Sequence, residues 1–127
     1  LNPTISDYWS FRGESKYYLE QYQEAIKDLD EAIKLDPELA ASWNCRGSCK
    51  DSLGHYEEAI KDYDIAIKLD PGNAYNWKLR GFCKCLSNQY EEAIKDFDKA
   101  IKLDPEGSSH MKVIQECTIK ISQSRTL

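Results

Sequence analysis

Cys45 and Cys49 stand four residues apart, and Cys83 and Cys85 two apart, spacings that could in principle hold a soft metal ion or a redox pair. Cys49, Cys83 and Cys117 are in addition spaced 34 apart. Equivalent helices in a packed array lie on the order of 10 Å from one another, whereas zinc–sulfur bonds are ~2.3 Å, so such a column cannot close a tetrahedral site. The cysteines are therefore expected to be buried structural residues. Glu57-Glu58 and Glu91-Glu92 could act as paired carboxylates in acid–base chemistry. They open second helices, however, where acids complement the helix dipole and pair with residues one turn on, so a solvated face accounts for them. His55 and His110, the two histidines, fall at turns or helix starts and in no triad or metal spacing. Phosphate-loop, dinucleotide and HExxH motifs are lacking. The expectation is a non-enzymatic chain with no catalytic residue, no metal and no cofactor.

The elements that position these side chains follow from an internal period. Trp9, Trp43 and Trp77 are 34 apart, and so are Arg12, Arg46 and Arg80, Gly13, Gly47 and Gly81, and Lys16, Lys50 and Lys84. Ala25, Ala59 and Ala93, Ala32, Ala66 and Ala100, and Pro37, Pro71 and Pro105 keep the same step. Three units are expected, over about 6–39, 40–73 and 74–107, and the second and third agree at 20 of their 34 positions. Within a unit the apolar period is helical: Ala59, Tyr63, Ala66 and Ile67 form one stripe, while Trp43, Gly47 and Lys50 form another. Ser52-Leu53-Gly54-His55 supplies the break between them, and Pro71 disfavours helix at Asp70, so each unit is helix, short turn, helix. After Pro105 the amphipathic run Met111, Ile114, Cys117 or Thr118, and Ile121 predicts a terminal capping helix over about 108–123. Pro3 lies 34 residues before Pro37, so Leu1-Asn2-Pro3 is expected to be the tail of an earlier unit.

These columns, Trp43, Gly47, Ala59, Tyr63, Ala66 and Pro71 with their equivalents, resemble the tetratricopeptide repeat over nearly the whole chain. The resemblance implies a single all-α domain, a right-handed superhelical α-solenoid of helix-turn-helix repeats in which the first helix of each pair lines a concave groove. Two columns depart from the usual pattern: arginine stands at 12, 46 and 80 where leucine is common, and lysine at 16, 50 and 84 where tyrosine is common. Asp28, Asp62 and Asp96 recur on the second helices, and Arg–Asp pairing across each hairpin is expected to satisfy charges placed so near the core.

Composition narrows the functional classes. The chain has 127 residues, 41% hydrophobic and 31% charged, with a net charge of −5. Nothing approaches the ~20 apolar residues of a membrane helix, and the acidic balance gives no general attraction to nucleic acid. Five cysteines, an odd number, suit a reducing compartment, so a cytoplasmic or nuclear location is expected. The implied groove carries Phe11, Glu14, Tyr17 and Tyr18 in unit one, Asn44, Ser48 and Asp51 in unit two, and Tyr75, Lys78, Leu79, Phe82 and Leu86 in unit three. A protein or peptide partner held by aromatic and apolar contacts is the expected ligand. Family members that grip chaperone tails use a clamp of lysine, asparagine and arginine; the matching positions here are Ser10, Glu14, Cys45, Tyr75 and Leu79, so heat-shock chaperone tails are expected to be disfavoured. The alternative is a spacer in a longer array or weak self-association of a monomer.

Overall fold

A computed structural model describes residues 2–107 together with Ile119 and Gln123, and the expected terminal helix lies otherwise outside the described residues. Among the described residues, six helices run in chain order: α1 (Ile5–Tyr18), α2 (Tyr22–Leu35), α3 (Ala40–Ser52), α4 (Tyr56–Leu69), α5 (Ala74–Leu86) and α6 (Tyr90–Leu103). They pair as α1 with α2, α3 with α4 and α5 with α6. The chain divides into two compact units, residues 1–70 with the first two hairpins and residues 71–127 with the third.

Each hairpin is antiparallel because its turn is three residues long and reverses in one tight motif. In all three, the amide of the last turn residue donates to a carbonyl near the end of the first helix: Gln21 to Lys16, His55 to Lys50 and Gln89 to Lys84, each at 2.8 Å. The motif needs a left-handed residue. Gly54 supplies it without strain at φ +83°, whereas Glu20 at +62° and Asn88 at +68° do so at a backbone cost.

The glycine column sets how closely the two helices of a hairpin approach. A Cβ on Gly13 would meet Leu29 Cγ at 2.7 Å, one on Gly47 Tyr63 Cε1 at 2.9 Å, and one on Gly81 Phe97 Cε1 at 2.8 Å. Second-helix side chains thus fill the space that the glycines leave. In the first unit the core comprises Ala25, Leu29, Ala32, Ile33, Cys49, Ala59, Tyr63, Ala66 and Ile67; in the second it comprises Cys83, Cys85, Ala93, Phe97 and Ala100. Cys49 and Cys83 are fully buried, as expected of structural cysteines; Cys117 lies outside the described residues.

The Arg–Asp pairing takes the expected partners. Arg12 grips Asp28 with Nε and Nη2, both at 2.8 Å, Arg46 grips Asp62 at 2.9 Å on both arms, and Arg80 grips Asp96 at 2.9 and 2.7 Å. Lys16, Lys50 and Lys84 add a second cation at 3.0, 3.1 and 3.2 Å. The three aspartates are 3% exposed, so these are buried carboxylates with two cations apiece, and Arg12 and then Lys16 hold Asp28 below the usual carboxylate range. Each guanidinium also stacks about 5 Å above its tryptophan. Trp43 and Trp77 are fixed in turn by Nε1–H bonds to the carbonyls of Pro37 and Pro71, at 2.8 and 2.9 Å.

Candidate functional site

In the first unit, α1 and α3 lie side by side, joined by a buried bond from the Ser42 hydroxyl to Ser10 Oγ at 3.1 Å. Residues 12, 13 and 16 of α1 turn toward α2, and the helical step carries Phe11, Glu14 and Tyr18 to the opposite side, where all three are exposed. Tyr17 lies between these faces. It packs on the cluster of Ala25, Leu29 and Cys49 and meets Tyr18 edge-on at 5.3 Å. Its ring therefore serves as a wall that props Tyr18 outward.

The matching face of α3 is smaller and more polar. Asn44 and Cys45 are half-buried, and the Cys45 thiol is held above the ordinary range by its bond to Cys49, by burial and by the Glu14 carboxylate across the helix pair. Ser48 is buried, with its oxygen 3.2 Å from the Tyr63 hydroxyl, so it belongs to the packing rather than to an open surface. The Tyr63 hydroxyl also donates to Asp51 Oδ2 at a long 3.5 Å. Burial lifts the Asp51 carboxyl to about 6, a shift that the Tyr63 bond opposes. This polar insertion escapes a reading of single columns. Its signal is a hydroxyl at 63 where the other repeats carry Leu29 and Phe97, beside an acid at 51 where they carry Tyr17 and Cys85.

In the second unit, α5 presents an exposed Tyr75, with Lys78 Nζ 4.9 Å from its ring centroid, and half-buried Leu79, Phe82 and Leu86. Phe82 packs against Cys85, Ala93 and Phe97, so its ring is shared between core and surface. The candidate residues thus fall into two sets, Phe11, Glu14, Tyr17, Tyr18, Asn44, Ser48 and Asp51 on α1 and α3, and Tyr75, Lys78, Leu79, Phe82 and Leu86 on α5. The arrangement offers aromatic rings for burial and polar groups for orientation. Among the described residues, no group of three histidines, cysteines or acids could hold a metal ion, and no helix is long and apolar enough to cross a membrane.

Comparison with known proteins places this geometry. The tetratricopeptide repeat models match residues 6–39, 40–73 and 74–106. No curated protein matches the sequence. Among solved structures, the first tetratricopeptide domain of human RPAP3 superposes with a TM-score of 0.91 at 19% identity, covering 98% of each chain. The corresponding domain of Spaghetti (RPAP3), solved bound to the HSP90 peptide SRMEEVD, gives 0.88 at 19% identity over 96% of this chain and 97% of that one. The TPR2B domain of yeast Sti1, in complex with pHsp70, gives 0.84 at 26% identity over 94% and 97%. The fold class is an all-α solenoid of helical hairpins.

Proposed function

The chain belongs to the tetratricopeptide repeat family, and from that premise we propose that it is a non-enzymatic scaffold holding a peptide segment of a partner protein in a groove along its first helices. The observation that carries this reading is the set of large rings, Phe11, Tyr18 and Tyr75, left exposed on first helices while the second helices fill the core. A partner's apolar side chains gain by covering such rings, and rigid aromatic anchors lose little conformational freedom when they do so. Lys78 stands 4.9 Å from the Tyr75 ring in the second unit, and Glu14, Asn44 and Asp51 lie on the first helices of the first unit with Phe11 and Tyr18; these polar groups set the orientation of a bound segment. Five cysteines, an odd number, suit a cytoplasmic or nuclear setting.

The exclusion of heat-shock chaperone tails, drawn from the residues at positions 10, 14, 45, 75 and 79, does not stand. The structural neighbours point the other way, with the yeast Sti1 domain solved on pHsp70 and the Spaghetti domain on an HSP90 peptide. Tails of this kind belong among the ligands of the scaffold. Fluorescence anisotropy with labelled SRMEEVD and SGPTIEEVD, beside an unbiased array of human and yeast C-terminal peptides, tests the reading. Saturable binding that weakens at least about tenfold in Phe11→Ala/Tyr18→Ala or Tyr75→Ala, with unchanged circular dichroism, is the expected result. Binding that survives both variants would move the site elsewhere.

A further inference from the structure

In the first unit, every cation of the two first helices is turned into its hairpin. Arg12 and Lys16 of α1 both reach Asp28, and Arg46 and Lys50 of α3 both reach Asp62. Each pair is spaced i, i+4, so the positive charge of each helix lies on one face, toward its second helix. The other side, with the rings of Tyr17 and Tyr18, keeps only acids. Glu14 projects from α1 near enough for its charge to raise the Cys45 thiol of α3. Asp51 stands seven residues after Asn44, two turns along the same face of α3. Neither Glu14 nor Asp51 forms an ion pair among the described residues.

The contrast with the hairpin aspartates shows what this side wants. Asp28 and Asp62 each hold two cations within 3.1 Å. Asp51 is half-buried and takes one long bond, 3.5 Å, from the Tyr63 hydroxyl. Burial acts against its charge, and a cation brought alongside acts for it, with less screening than at an open surface. The rings suit the same visitor. Tyr18 is 73% exposed, and an aromatic face attracts a lysine or arginine head while covering its apolar stem. The chain makes this contact internally, with Lys78 Nζ 4.9 Å from the Tyr75 ring centroid.

On the premise of the peptide groove proposed above, we propose that the bound segment carries a lysine or arginine side chain that lies over the first unit, its stem on the ring of Tyr18 and its charge toward Glu14 and Asp51. The charge pattern thus selects among peptides of equal apolar content. A segment with a basic residue beside an apolar one gains a charge-assisted contact in this unit, and a segment without one is held by its apolar contacts alone.

The test selects a phage-displayed library of random peptides on the 127-residue chain, then titrates each selected peptide by fluorescence anisotropy and maps it by amide shifts of the isotope-labelled chain. Peptides that shift Glu14, Tyr18 and Asp51 carry a lysine or arginine beside an apolar residue. Replacing that cation by alanine in the peptide weakens binding about tenfold, and added salt weakens the cationic peptide more than its alanine form. Glu14→Gln/Asp51→Asn keeps side-chain size, with the fold verified by circular dichroism; it weakens the cationic peptide by a similar factor and leaves the alanine form unchanged. Peptides that seat on the first unit without a cation, or an exchange of cation for alanine that leaves affinity unchanged, overturn the proposal and leave the groove reading standing. Peptides that bind only the second helices, or a selection that yields no binder, overturn the groove reading and the proposal with it.

Discussion

Replacing Arg46 by alanine tests whether the arginine column stabilises the fold. Asp62 is 3% exposed and takes two hydrogen bonds from Arg46, with Lys50 as its second cation at 3.1 Å. Removing one partner of a buried ion pair costs ~3–5 kcal/mol because the remaining charge is left uncompensated. Lys50 remains, which places the expected loss at the low end, about 3 kcal/mol, with the stacking on Trp43 included. For a chain of this length that lowers Tm by roughly 10 °C. Arg12→Ala should cost clearly less, since its guanidinium is largely solvated and holds a single carboxylate. Arg46→Met combined with Asp62→Leu removes both charges and should recover most of the loss. Urea and thermal denaturation followed by circular dichroism measure all three. Equal losses for the two arginines, or no change in Tm for Arg46→Ala, would show that these buried pairs do not stabilise the fold.

Other substitutions probe separate links. Gly47→Ala gains ~1 kcal/mol of helix propensity but forces Tyr63 and the Ala59 carbonyl apart, an overpacking cost of ~1–3 kcal/mol, so a net loss of about 1 kcal/mol is expected in urea titration. Glu20→Gly relieves a left-handed backbone at φ +62° and should stabilise by about 0.5–1 kcal/mol, seen as a raised Tm. Asp51 has a native pKa of about 6 against an ordinary 3.8, so the folded state binds more protons between those values. Stability therefore falls as pH rises from about 4 to about 6. Asp51→Asn should be the more stable protein at pH 7.5 by roughly 1–2 kcal/mol, after discount for partial solvation, with the gain vanishing below about pH 4. A gain that persists at pH 3.5 would point to a cause other than ionisation.

The fold was legible because each constraint recurs three times at one spacing. Tryptophan, glycine and proline columns mark the close approach at Gly47 and the bond from Trp43 to Pro37, although the spacing alone did not say that those two residues touch. Matching periods of Arg and Asp also foretold the ion pairs, since opposite charges at equivalent depths of a hairpin have few other partners. The candidate site was less legible for a physical reason. A helix turns 100° per residue, so residues at the edge of a face are assigned by what the neighbouring helix brings. Ser48 and Phe82 stand at such edges, and the size of the facing residue, Tyr63 or Phe97, drew them into packing. Glu20 likewise occupies the position where Gly54 marks the turn in the second repeat, and nothing in its own type announces a left-handed backbone.

In the proposed function, partner peptides lie on the first helices. Chemical-shift mapping of the isotope-labelled chain, titrated with whichever peptide binds in the anisotropy screen, addresses it most directly. Binding on the first helices gives shifts concentrated at Phe11, Glu14 and Tyr18, at Asn44 and Asp51, and at Tyr75, Lys78 and Leu79. Shifts concentrated instead on the exposed faces of α2, α4 and α6 would contradict it.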